Sequence, residues 1–277
     1  MSILRVENAE ARYEGNVIFE NLCLDVIKGK ITTIIGPNGC GKSTLLKTMG
    51  RILKPKFGKV YLQDQDINTL PTQEIAKRLT LLPQNPIAPG ELGVEELISY
   101  GRYPHRKNIS NLTTEDKEKI EWALEITHTL PYRDRPLGSL SGGQRQKVWL
   151  AMALAQDTTV LLLDEPTTYL DLAHQLDVLQ IVENLNHHHQ CTVVMVLHDI
   201  NHAARFSHEI VGMRDGKIMA TGSPHELITA DTLKQIFHID ARIMVDPSNG
   251  SPVCFGYESA LAEEEFVLHK EKENVAT

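Results

Sequence analysis

The sequence predicts an α/β fold built on a mainly parallel sheet, and three observations carry that expectation. Ile31-Thr32-Thr33-Ile34-Ile35 reads as a buried, β-branched strand bounded by Gly29 and Gly36, and it runs straight into a glycine loop and a helix. Two further apolar runs, at residues 160–163 and 192–197, flank a helical stretch at 172–185, the strand–helix–strand unit of parallel sheets. Between these halves, from about residue 85 to 156, the pattern turns helical and charged, so the α/β core is split in sequence.

The elements follow in order. Apolar and polar residues alternate in Ile3-Leu4-Arg5-Val6-Glu7, and residues 17–27 supply a second β-rich run. After the glycine loop, Leu45, Leu46, Met49, Ile52 and Leu53 share a helical spacing, so a helix is predicted over 42–53, stopped by Pro55. Short strands are predicted at 60–62 and 79–82, and helices across the insert, including 114–128 and 145–155. His187-His188-His189 is read as a solvated turn between a helix and a strand, because no Cys or carboxylate lies near it in sequence to complete a metal site. Beyond Asp240, Pro247-Ser248-Asn249-Gly250 marks the turn of a hairpin within 242–257, and residues 263–277 read as a polar, frayed tail.

Composition narrows the function. The 277 residues carry 28 Lys and Arg against 36 Asp and Glu, a net charge of −8, with 42% hydrophobic and 23% charged residues. That is globular composition, and the acidic balance argues against a nucleic-acid partner. No window holds the roughly 18 to 20 apolar residues of a membrane span, and the N-terminus lacks a secretory pattern, so the chain is expected to be cytoplasmic and not itself a pore. Cys23, Cys40, Cys191 and Cys254 form no CxxC pair, which argues against a disulfide scaffold or zinc ribbon.

The chemistry begins at Gly36-Pro37-Asn38-Gly39-Cys40-Gly41-Lys42-Ser43, which fits GxxxxGK[ST] between a predicted strand and a predicted helix. Glycines let the backbone curl so that successive N–H groups and the helix N-terminus, with Thr44 beside it, surround phosphate oxygens. Lys42 is placed to reach the β- and γ-phosphates, and the Ser43 hydroxyl to ligate magnesium. Cys40 lies inside the loop, so thiol modification is expected to block nucleotide binding and ATP to protect against it. Val160-Leu161-Leu162-Leu163-Asp164-Glu165 supplies a strand ending in two carboxylates, Asp164 to hold Mg²⁺ through its waters and Glu165 to orient or deprotonate the attacking water.

Leu140-Ser141-Gly142-Gly143-Gln144 then resembles the signature of ATP-binding cassette (ABC) proteins. The resemblance implies a P-loop NTPase core with a mainly parallel sheet, an N-terminal antiparallel β subdomain and an inserted helical subdomain. It also implies that two copies pack head to tail, the Ser141 to Gln144 signature of one completing the ATP site of the other. The remaining family positions match in order. Tyr13 stands where an aromatic ring stacks on adenine. Gln84 resembles the loop glutamine that touches Mg²⁺ and water, His198 the switch histidine at the γ-phosphate, and Asp171 the aspartate that reaches across the dimer. The implied cassette domain spans 1–240, with its helical insert at 85–156, and a C-terminal extension occupies 241–277.

Gly101-Arg102-Tyr103-Pro104-His105, Thr167-Thr168-Tyr169-Leu170-Asp171, Ala173-His174-Gln175 and Leu197-His198-Asp199-Ile200-Asn201-His202-Ala203 resemble the cassettes of bacterial iron-chelate, haem and vitamin B12 importers, ferric-siderophore uptake above all. That resemblance implies ATP and Mg²⁺ as cofactors and an integral membrane permease docking near residues 85–105. It also implies a substrate-binding lipoprotein or periplasmic protein as an indirect partner, and a peripheral position on the cytoplasmic side of the membrane. Haem and vitamin B12 import are the alternative cargoes. A non-transport cassette protein is the other alternative, but those usually carry a second cassette, zinc inserts or basic surfaces.

Overall fold

The computed structural model describes residues 1–13, 15–106 and 111–260. Strands β1 (Ser2–Tyr13), β2 (Asn16–Ile27), β3 (Ile31–Ile35) and helix α1 (Lys42–Met49) open the chain, followed by β4 (Phe57–Leu62), β5 (Gln65–Asp66), α2 (Thr72–Ala76) and β6 (Leu79–Leu82). Helices α3 (Val94–Tyr100), α4 (Thr114–Ile126) and α5 (Gly142–Ala155) come next, then β7 (Val160–Leu163), α6 (Leu172–His189), β8 (Thr192–Val196) and α7 (Ile200–Phe206). The chain closes with β9 (Glu209–Arg214), β10 (Lys217–Gly222), α8 (Pro224–Leu227), α9 (Ala230–Phe237), β11 (Ile239–Val245) and β12 (Pro252–Ser259).

These strands form an antiparallel sheet, β2-β1-β4-β5, a six-stranded sheet, β10-β9-β3-β8-β7-β6, and the β11–β12 hairpin. In the six-stranded sheet every pairing except that of edge strand β10 is parallel. Its central strands are continuous apolar runs because both faces are covered. Ile31, Ile35, Leu161, Leu163, Val193 and Met195 face a core shared with the inserted helices and α6. Ile34, Val160, Leu162, Val194 and Val196 face a second core shared with α1 and the antiparallel sheet. The fold class read from the sequence is the one observed, and no helix among the described residues is long and apolar enough to cross a membrane.

The inserted helices are held by a buried ion pair. Arg102 is 1% exposed; its Nε donates to Asp116 at the start of α4 (2.8 Å) and its Nη1 to the Ala155 carbonyl at the end of α5 (2.9 Å). Burial alone would raise the Asp116 carboxyl, but the hydrogen bonds from Arg102 and Thr113 hold it below the usual carboxylate range. Gly101 must be small, since a Cβ there would lie 2.2 Å from the Met152 carbonyl oxygen.

Several boundaries differ from the sequence expectations. Helix α1 ends at Met49, not at 53, because Arg51 adopts a left-handed conformation (φ 58°) and the N–H groups of Ile52 and Leu53 both turn back to the Lys47 carbonyl. His187, His188 and His189 form the last turn of α6 instead of a turn beyond it, with Gln190 as a left-handed cap, and His189 packs edge-on against Trp122. The helix beginning at residue 142 includes two signature glycines that the expectation of 145–155 left outside. The domain limit set at 240 falls inside β11, whose hairpin packs onto α7 through paired bonds between Asn201 and the Cys254 backbone (2.7 and 3.1 Å). The tail expected at 263–277 lies outside the described residues.

Candidate active site

The site forms at the carboxyl ends of β3, β7 and β8, where parallel strands deliver successive loops to one edge. Directly after β3 the loop must turn under a neighbouring strand: a Cβ at Gly36 would lie 2.1 Å from the Met213 carbonyl oxygen. Gly41 then caps α1 in a left-handed conformation (φ 103°), which releases the first N–H groups of the helix toward the loop. Inside this loop the buried Lys42 ammonium donates to the carbonyls of Gly36 (2.8 Å) and Pro37 (2.9 Å). Asn38, Gly39, Gly41, Lys42, Ser43, Thr44, Glu165 and Ile18 line a cleft of about 280 Å³.

Ser43 and Asp164 meet across the cleft floor, the serine Oγ donating to Oδ1 at 2.7 Å. Burial pushes the Asp164 carboxyl above its usual range, with the Ser43 bond opposing the shift. A buried carboxylate and a neighbouring hydroxyl are hard oxygen donors of the kind a divalent cation takes. Glu165 follows in a left-handed conformation (φ 51°) that a side chain of its kind seldom adopts, and such strained backbone gathers at functional sites. Three groups hold its carboxylate: Gln84 Nε2 at close range to Oε2, Thr168 Oγ1 to the same oxygen (3.0 Å), and His198 Nε2 to Oε1 (2.8 Å).

The structure therefore gathers Lys42, Ser43, Asp164, Glu165, Gln84 and His198 at one edge. Tyr13 ends β1 partly exposed and does not line the cleft; Ile18 does. Cys40 is buried against Gly36, and burial raises its thiol pKa, so the loop itself shields the sulfur that was expected to need ATP for protection. Ser141, Gly142, Gly143, Gln144 and Asp171 stand apart from this cleft. Ser141 and Gln144 form a reciprocal capping box at the start of α5, and Asp171 caps α6 by accepting from the His174 N–H (2.9 Å). The bonds from the His174 backbone and ring hold the Asp171 carboxyl below its usual range.

A second cleft, of about 340 Å³, is lined by Gln84, Asn85, Pro86, Ile87 and Ala88 on one side and Gly142, Arg145, Trp149 and Tyr169 on the other. Ile87 is 92% exposed there. The expected docking segment at 85–105 needs correcting accordingly, because Gly101 and Arg102 are buried in the insert and cannot present a surface. Sequence reasoning missed Ile18 and Thr168 as site residues. Ile18 carries no motif, but Thr168, three residues after Glu165, was within reach of a search for a hydroxyl beside the carboxylate.

The chain matches the ABC transporter family over residues 19–168. It is 52% identical to the iron(3+)-hydroxamate import ATP-binding protein FhuC of Bacillus subtilis, covering 96% of this chain and 99% of that protein. Against the ferric enterobactin transport ATP-binding protein FepC of Escherichia coli it is 42% identical, with 90% and 92% covered. Among solved structures, the dimeric ABC transporter cassette MJ0796 superposes with a TM-score of 0.71 at 28% identity, over 79% of this chain and 98% of that one.

Proposed function

This chain belongs to the ABC transporter family, and on that premise we propose that it is the ATP-hydrolysing subunit of a bacterial importer that energises uptake of a ferric siderophore across the cytoplasmic membrane. The observation that carries the reading is the separation of the chain's two phosphate-binding elements. The Gly36 to Ser43 loop and the Ser141 to Gln144 helix start do not share a cleft, so each suits half of a site completed by a second copy.

In this reading the loop amides and the Lys42 ammonium hold the β- and γ-phosphates of ATP, and Tyr13 flanks the adenine. Ser43, Asp164 and Gln84 are the residues that would hold Mg²⁺, whose role is to neutralise developing phosphate charge. Glu165 orients the attacking water and takes its proton, and His198 stabilises charge at the γ-phosphate while bonding Glu165. Ser141, Gly143 and Asp171 from the facing copy close the pocket. ATP drives closure because it binds the closed pair better than the open one. Closure brings two inserts together, and a membrane permease seated in the cleft between Ile87 and Tyr169 transmits the change. A substrate-binding lipoprotein or periplasmic protein delivers the chelate from outside, and the ATPase sits peripherally on the cytoplasmic face.

The test is paired. Glu165→Gln retains ATP binding, traps a stable dimer by light scattering and lowers turnover by about 100-fold or more. Lys42→Ala loses nucleotide affinity. Undiminished turnover in the first, or normal affinity in the second, overturns the assignment.

A further inference from the structure

We infer that His174 is a positioning residue that ties Asp171 to the first turn of α5, so that each copy offers both groups to its partner's nucleotide as one rigid unit. The inference rests on the head-to-tail reading above.

Two contacts of one imidazole make the tie. Asp171 Oδ1 accepts twice from the same residue, from the His174 backbone N–H at 2.9 Å and from its ring Nδ1 at 2.7 Å. The rest of the ring lies over Gly143: a Cβ there would meet His174 Cδ2 at 2.2 Å and Cγ at 2.6 Å. Gly142, one residue earlier, has no heavy atom within 4 Å of where its Cβ would be. The adjacent glycines thus have different reasons to be glycine. A side chain at Gly142 would meet open space, whereas one at Gly143 would meet a ring of its own chain.

The loop before Asp171 has reason to be tied. Tyr169 is 86% exposed and held at φ 64°, a conformation unfavourable for a bulky side chain without support. Its neighbour Leu170 is pinned by Gln175 Nε2 to its carbonyl (2.9 Å), and one turn further along each helix Lys147 bridges α5 to Asp177 of α6 (3.1 Å). His174 is the member of this set that touches both a signature glycine and the loop aspartate.

The experiment uses the full chain carrying Glu165→Gln, with Mg·ATP as the probe and dimer mass followed over an ATP series. Adding His174→Ala leaves the monomer's ATP affinity within about twofold but raises the ATP concentration for half-maximal dimerisation about tenfold. With Glu165 intact, the half-saturating ATP concentration for hydrolysis rises by more than kcat falls. His174→Asn restores a donor to Asp171 without the ring, and His174→Phe a ring without the donor, so each recovers part of the loss. Gly143→Ala raises the ATP concentration for half-maximal dimerisation about a hundredfold, and adding His174→Ala to it recovers about tenfold because the ring is gone. A double variant as impaired as Gly143→Ala alone, or a His174→Ala chain that dimerises like its parent, overturns this inference only. Failure of the Glu165→Gln chain itself to dimerise would instead overturn the head-to-tail reading. Monomer ATP affinity and melting temperature, measured on every variant, separate these outcomes from misfolding.

Discussion

Asp164 is a buried carboxylate whose burial outweighs the opposing effects of the Ser43 hydrogen bond and of Lys47 and Lys42. Its raised pKa means that the folded state holds this proton more tightly than the unfolded one, so stability falls as pH rises from the ordinary carboxylate range through the raised value. Asparagine keeps an oxygen for Ser43 without the charge. Asp164→Asn is expected to raise the melting temperature near neutral pH by about 2–4 °C, the shift that about 1 kcal/mol produces in a chain of this size, while abolishing Mg²⁺-dependent turnover. A lower melting temperature in nucleotide-free buffer would contradict this. The residues of this edge differ in how they could be read. Lys42, Ser43, Asp164 and Glu165 are held to fixed spacings by backbone geometry and can be picked from a linear pattern. Ile18, Thr168 and His174 matter through contacts that only folding creates, and a tyrosine such as Tyr13 carries no spacing to say which way its ring points.

Among elements, the insert shows where sequence reading succeeds and where it fails. Helices α3 to α5 announce themselves by composition, yet Gly101 to His105 reads as recognition surface when much of it is scaffold. Arg102 is buried between two helices, and His105 Nε2 pairs with the Gln156 carbonyl at 2.9 Å. Leaving one member of a buried pair uncompensated costs about 3–5 kcal/mol, so Arg102→Met is expected to lower the urea midpoint markedly. Asp116 is depressed, so its contribution is complete above the ordinary carboxylate pKa and is lost as pH falls through the lowered value. Asp116→Asn should therefore flatten the acid limb of the stability curve, measured by urea titration from pH 7 to pH 3. Strands β3, β7 and β8 were legible because burial on both faces leaves an unbroken apolar run. The last turn of α6 was not, since three histidines carry no apolar periodicity, and α1 was overextended because Ile52 and Leu53 keep a helical spacing after the backbone has left the helix.

For the whole molecule, the order of elements was enough to place an α/β core and a helical interruption, but not to say which surfaces remain open. The exposed cleft beside Ile87 emerges only once the segment after β6, the start of α5 and the loop at Tyr169 come together in the fold. If a permease occupies that cleft, Ile87→Asp should leave ATP affinity unchanged, reduce co-purification with the membrane partner and lower radiolabelled ferric-chelate uptake about tenfold or more. Full uptake with that substitution would place the permease elsewhere.

The pairing of β6 with β7 has a further mechanical meaning. Because the two strands are parallel neighbours and β6 is the sheet's edge, the polypeptide between them departs at the upper end of that edge, beside Gln84, and returns at the lower end near Gln156. Gln156 is fastened to the Ala76 carbonyl at 2.6 Å, and Gln84 is fastened to Glu165. These two fastenings mark where the chain enters and leaves the insert, and the Trp122 ring against His189 and the Lys147–Asp177 pair add holds to α6. On the proposed reading, any displacement of the insert would bear on Gln84 and, through it, directly on the Glu165 carboxylate.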